Sequence, residues 1–155
     1  MSDSAASGEG AGPAGEGAGA LGEAPLRLVF CNAPADQAEV IARAVLEKRL
    51  AACVNIVPGV VSLYWWQGAL CRDAESTLLI KTRADLIGPL TEAIRSAHPY
   101  DVPEVIALPL QAGEGNAAYA AWVRAETAAA ARVGGGVGGG GGGGGGEGGG
   151  GSAGG

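Results

Sequence analysis

One histidine, one methionine and one phenylalanine occur in 155 residues, and the three cysteines are an odd number. Each scarcity excludes something. With His98 as the single imidazole, a Ser-His-Asp or Cys-His mechanism would have to run through it, and no nucleophile stands beside it in a recognisable motif, so no enzyme activity is expected. Cys31, Cys53 and Cys71 follow neither a disulfide framework nor a CxxC spacing, which fits a reducing compartment and makes the cytoplasm the expected location. No stretch approaches the roughly 20 apolar residues of a membrane span. No basic segment followed by an apolar one opens the chain, and no arginine precedes Arg27, so neither a secretory leader nor a transit peptide is expected. Basic patches with interleaved aromatics are missing as well, and no nucleic-acid partner is expected.

Glycine is abundant, but not where a fold would use it. Of 30 glycines only Gly59, Gly68, Gly88, Gly113 and Gly115 lie between residues 26 and 132. Residues 1–25 are rich in Gly, Ala and Glu, and residues 133–155 are almost all Gly; neither segment can bury enough apolar surface to offset its ordering entropy, so both are expected to be disordered tails. All ten Lys and Arg lie in residues 26–132 beside eleven Asp and Glu, a balance of −1, while five tail carboxylates supply the rest of the formal −6. The acidity therefore belongs to the tails and says little about a partner.

Within 26–132 the patterning alternates between strand and helix. LRLVFCNA (26–33) is a short apolar strand closed by Pro34. Asp36 is placed to cap a helix in which Ala38, Ile41, Ala42, Val45 and Leu46 recur at helical spacing, running to about Leu50. The run ACVNIVPGVVSLYWW is one long strand with a bulge or bend at Pro58-Gly59, and Gln67-Gly68 is a hairpin turn leading into a returning strand from Leu70 to Thr82. Leu86, Leu90, Ala93, Ile94 and Ala97 define a second helix, EVIALPL (104–110) a fourth strand, and Asn116 caps a last helix carrying Tyr119, Trp122 and Val123. The order βαββαβ plus a terminal helix predicts an α+β, ferredoxin-like fold: an antiparallel sheet with two helices on one face. Two helices cover one side of such a sheet. Val60-Val61 and Leu63-Tyr64-Trp65-Trp66 put bulky apolar groups on both sides of the long strand, which points to a homo-oligomer.

Four stretches, LVFCNAP (28–34), KRLAACVNIVPGVVSLYWWQG (48–68), LIKT (79–82) and HPYDVPEVIALP (98–109), resemble the CutA family of divalent-cation tolerance proteins. The resemblance covers residues 26–127 and leaves out both tails. It implies a homotrimer of ferredoxin-like subunits, similar in architecture to PII-type signalling proteins, with a link to copper and other divalent metals and no organic cofactor. It also implies a metal site at the cysteine ending the first strand, the histidine of HPY and the glutamate of PE, here Cys31, His98 and Glu104. The alternative is a PII-like trimeric sensor of small molecules, or an interaction scaffold, with no essential metal.

Thiolate, imidazole and carboxylate together suit Cu(II) or Zn(II), with Cu(II) ahead on the general affinity order. Each residue also has a plainer role. His98 can simply close the second helix, with Pro99 stopping it; Cys31 can be a small buried hydrophobe; Glu104 can pair with a nearby Lys or Arg. Cys53 reads as core packing and Cys71 as exposed. Tyr64, Trp65 and Trp66 form a ligand platform or, more simply, subunit contacts. Lys81, Tyr100 and Asp101 are candidates for the lining of a cleft between subunits. An acylphosphatase-like site would need an Arg in the loop after the first strand; Asn32 is present, but the loop APADQA has none.

Overall fold

The computed structural model describes residues 23–130. The polyglycine tail lies outside the described residues, as do residues 1–22. Residues 23–25, expected to belong to the N-terminal tail, are instead tied to the domain. Arg124 Nε donates to the Ala24 carbonyl at 3.1 Å, the Arg124 guanidinium pairs with Glu23, and the Ala84 N–H donates to the Pro25 carbonyl at 2.7 Å.

The elements follow the expected order: β1 (Leu26–Ala33), α1 (Ala38–Glu47), β2 (Cys53–Trp66), β3 (Ala69–Arg83), α2 (Ile87–Ala97), β4 (Ile106–Pro109) and α3 (Ala117–Thr127), with a short 3-10 turn at Ala84–Leu86. The strands form one antiparallel sheet in the order β2-β3-β1-β4. Period-two alternation sends Val29, Cys31 and Ala33 of β1 and Leu78 and Ile80 of β3 to one face. There they pack against Ile41, Ala42 and Val45 of α1 and Leu90, Ala93 and Ile94 of α2 in a single core. A buried hydrogen bond seals its edge, the Thr82 hydroxyl donating to the Leu50 carbonyl at 2.6 Å.

Local departures have local causes. Asp36 does not cap α1: the cap position is Gln37, without a side-chain bond, and the Pro34 carbonyl accepts from the N–H groups of Gln37 and Ala38. The helix stops at Glu47 rather than near Leu50, because Arg49 turns left-handed at φ 57°. Its N–H then reaches the Leu46 carbonyl and that of Leu50 the Val45 carbonyl, a Schellman closure with arginine where glycine is usual. At β4, Pro109 brings no N–H to the ladder, and the strand is shorter than the expected 104–110. Asn116 caps α3 as expected, its Oδ1 accepting from the N–H groups of Ala118 and Tyr119.

The long hairpin shapes the open end of the sheet. Gln67 and Gly68 both have positive φ, the pattern of a tight turn whose twist matches the two strands. The expected irregularity at Pro58-Gly59 is a one-residue bulge, where the pairing passes from Val57↔Thr77 to Val60↔Glu75. Beyond it, the aromatic half of β2 runs out past the helices, with Leu63 66 % and Trp65 73 % exposed. Ile106, Leu108 and Trp122 add to the apolar surface that this single chain leaves uncovered.

Candidate functional site

The site begins where α2 ends. A residue preceding proline is pushed into extended backbone, and His98, before Pro99, has φ −85° and ψ 139° while its own N–H still closes the helix on the Ile94 carbonyl. The imidazole is thereby carried away from the helix carbonyls and onto β1. Its Nδ1 accepts the Tyr100 N–H at 3.1 Å, which puts the ring proton on Nε2, and Nε2–H donates to the Asn32 carbonyl at 2.8 Å. His98 thus closes α2, fixes the loop after it and pins that loop to the end of β1.

The loop delivers Tyr100 to Glu75. The Tyr100 hydroxyl donates to Glu75 Oε1 at 2.9 Å, and the Tyr100 ring lies 4.7 Å from that of His98. Glu75 sits beside the bulge on β3 and is only 6 % exposed. Bulges often re-aim a side chain next to a site, and this one stands where Glu75 turns towards a cleft of about 740 Å³ bounded by Asn32, Tyr64, Trp66, Tyr100, Asp101 and Glu104.

The cleft is electronegative. Burial, and then the charge of Glu75, push the Glu104 carboxyl above its usual range. The Tyr64 hydroxyl donates to Asp73 and is pushed up to about 12, chiefly by that bond. Tyr100 is raised as well, by burial first and then by its bond to Glu75. No Lys or Arg lines this space, and among the described residues none stands within ion-pair reach of Glu75 or Glu104. The ion pair that was the plainer alternative for Glu104 does not occur among the described residues.

The three sequence-picked residues divide. Glu104 lines the cleft. Cys31 is fully buried on the helix-facing side of β1, opposite Leu78, and its thiol is raised to about 12 by burial, then by the charges of Glu104 and Glu75. His98 has both ring nitrogens committed to backbone groups. To ligate a divalent metal in this arrangement, the buried Cys31 thiol would have to lose its proton and the His98 imidazole one of its backbone bonds, while Glu75 and Glu104 both line the cleft. Among the described residues no group of three or more His, Cys, Asp and Glu side chains converges on one point.

The other candidates also separate. Tyr100 and Asp101 line the cleft, but Lys81 lies elsewhere, with Nζ against Cys53 Sγ, the Asn55 side chain and the Leu79 carbonyl. Cys53 is half-buried between Lys81 and Tyr119 rather than in the core, and Cys71 is half-buried rather than open. Glu75 went unread in the sequence. The available signal was a carboxylate midway along the returning strand, beside the Pro-Gly interruption in its partner.

The sequence model of the family described as "CutA1 divalent ion tolerance protein" matches residues 27–126. The chain belongs to this family. It is 50 % identical over 99 residues to Protein CutA of Homo sapiens, covering 63 % of this chain and 54 % of that one. It is 46 % identical over 101 residues to the divalent-cation tolerance protein CutA of Thermus thermophilus, covering 64 % of this chain and 96 % of the other. Protein CutA 1, chloroplastic, of Oryza sativa is 46 % identical over 104 residues, 66 % of this chain and 58 % of its own. The chain thus spans somewhat over half the length of its rice and human relatives. Among solved structures, the Thermus thermophilus protein superposes with a TM-score of 0.62 at 45 % identity, covering 65 % of this chain and 97 % of that one. A PII-like protein CutA from Nostoc, in apo form, gives a TM-score of 0.62 at 35 % identity, covering 65 % and 96 %. The fold of this CutA-family chain is accordingly that of its relatives, and divalent-ion tolerance is the activity for which the family is described.

Proposed function

We propose that this chain is a trimeric cation-binding protein of the divalent-ion tolerance type, and that the cation is taken at the cleft holding Glu75 and Glu104. The observation that carries this reading is Glu75, nearly buried, facing the same space as Glu104, with no counter-ion among the described residues. A buried charge without a partner is costly, and a bound cation offsets that cost. The trimer is supported by the uncovered apolar surface of β2, β4 and α3, and three free cysteines support a reducing compartment such as the cytoplasm. Binding rather than catalysis is supported by the commitment of the only histidine to backbone contacts.

Cu(II) is the ion to try first. Its capture by Cys31, His98 and Glu104, the sharper form of this reading, would require His98 to give up a backbone bond and Cys31 its proton. Calorimetric titration with Cu(II) and Zn(II) separates the two forms. Capture at the cleft predicts binding that weakens in Glu75→Gln and Glu104→Gln and persists in Cys31→Ala and His98→Ala; capture by the mixed set predicts loss in Cys31→Ala and His98→Ala. Equal affinity in wild type and all four variants would sink both. A second reading, a PII-like small-molecule sensor, is favoured by the polar groups that Glu75, Tyr100, Asp101 and Glu104 bring to one cleft.

A further inference from the structure

We infer that Cys53 and Lys81 are a peroxide-responsive pair: the oxidised sulfur of Cys53 is captured by the Lys81 amine in a reversible sulfur–nitrogen cross-link between β2 and β3. This modification is independent of the cleft. It starts from the ladder, where Cys53 and Lys81 stand directly opposite each other. Residues so paired have Cβ atoms about 5 Å apart on one face of the sheet, so the backbone itself brings thiol and amine together. The side chains close the gap, Lys81 Nζ donating to Cys53 Sγ at 3.8 Å, and Tyr119 of α3 stands against the same sulfur. Both members of the pair are half-buried, so the thiol is not sealed in the core as Cys31 is. They also lie at the base of β2, on the far side of the Pro58-Gly59 bulge from the aromatic half of the hairpin.

The chemistry runs in two steps and takes one peroxide. The Cys53 sulfur accepts an oxygen from hydrogen peroxide, giving a sulfenic acid and one water; sulfur is oxidised and peroxide reduced. The Lys81 ammonium then releases a proton to solvent, and the free amine attacks the sulfur. A sulfur–nitrogen bond forms, the sulfur–oxygen bond breaks, and the departing hydroxide takes the second proton of the nitrogen to leave as water. A sulfenic acid is ordinarily resolved by a thiol or by a nearby nitrogen, and within one chain no thiol is in place. Cys31 pairs with Leu78 and faces the helices, whereas Lys81 pairs with Leu28 and points to the other side of the sheet. Cys71 lies near the hairpin turn, roughly 30 Å along β3 from Lys81. The nearest nucleophile is the Lys81 amine. Both groups belong to one chain, so the reaction needs no ligand space beyond the passage of a peroxide molecule. Linkage removes the positive charge of Lys81 until a thiol reductant restores it.

The test uses the full-length protein in its native oligomeric state, treated with hydrogen peroxide in buffer containing EDTA and digested without reductant. Peptide mass spectrometry should find the Cys53 and Lys81 peptides joined, with a mass two hydrogens below their sum, and dithiothreitol should separate them again. Lys81→Arg keeps the charge but removes the primary amine. In that variant the link should be lost, and Cys53 should instead accumulate as a sulfenic acid that dimedone traps. The wild-type result decides the matter even where the variant fails to assemble, as judged by its elution volume. Cys53 left unmodified, found in a disulfide, carried on to the sulfinic acid without a link, or joined to any other lysine overturns the inference. So does a link that survives in Lys81→Arg.

Discussion

Cys31 offers a sharp test, because its two possible roles demand opposite chemistry. The thiolate is the form that attacks electrophiles and binds metals. Burial in the core, with the charges of Glu104 and Glu75 nearby, raises this thiol from 9.0 to about 12. Each pKa unit is a factor of ten in the ionised fraction, so near neutral pH the thiolate is rarer than in an ordinary cysteine by about a thousandfold. Complete burial slows attack further, since a reagent must wait for the helix face to open. Timed labelling with iodoacetamide at about pH 8, followed by peptide mass spectrometry, compares Cys31 with the half-buried Cys71 in one sample. Cys71 should modify first, and Cys31 should remain unlabelled until denaturant is added. If Cys31 reacted within about tenfold of the Cys71 rate under native conditions, its placement as a protonated core residue would be wrong. The sulfur would then be available as a ligand.

Further predictions concern the frame and the cleft. Thr82→Val removes a buried donor and leaves the Leu50 carbonyl unpaired, and urea denaturation should show a loss of about 1–3 kcal/mol. Arg49→Gly relieves a left-handed residue, a gain of about 1 kcal/mol, while losing the exposed ion pair to Glu126, worth about 1 kcal/mol at most; stability should be unchanged or raised, and a clear loss would refute the strain argument. For Glu104 the sign is set by its raised folded-state pKa. Its contribution to stability is present below the unfolded value and is lost as pH rises through the higher folded one. Glu104→Gln should therefore have the higher Tm in metal-free buffer at neutral pH, the difference closing as pH falls below the ordinary carboxylate range. A difference that instead grew on acidification would contradict the burial of that carboxyl.

Much of the frame was legible because periodicity reports burial directly. Ile41, Ala42 and Val45 recur at helical spacing, and Val29 and Cys31 alternate on a strand; each proved to face the core. The Pro58-Gly59 bulge and the Asn116 cap were equally readable, since each depends on backbone chemistry carried by the residues themselves. Boundaries set by non-local geometry were not. Nothing in the residue types makes Arg49 an obvious left-handed helix stop, and the Asp36 cap was displaced by a turn built on Pro34. The candidate site was only partly visible for a related reason. Glu104 was found, but Glu75 is distant in sequence and reaches the cleft through the register of β3 against a bulged β2. The commitment of His98 to the Asn32 carbonyl joins residues 66 positions apart, and no local pattern announces such a bond.

Central to the whole account is the claim that the bare apolar face, with Trp65 73 % exposed on the projecting hairpin, is covered by further copies of the chain. Size-exclusion chromatography with multi-angle light scattering at micromolar concentration tests it most directly. The account predicts a single species of about three times the 15.1 kDa chain mass. A stable, soluble species at one chain mass would contradict it.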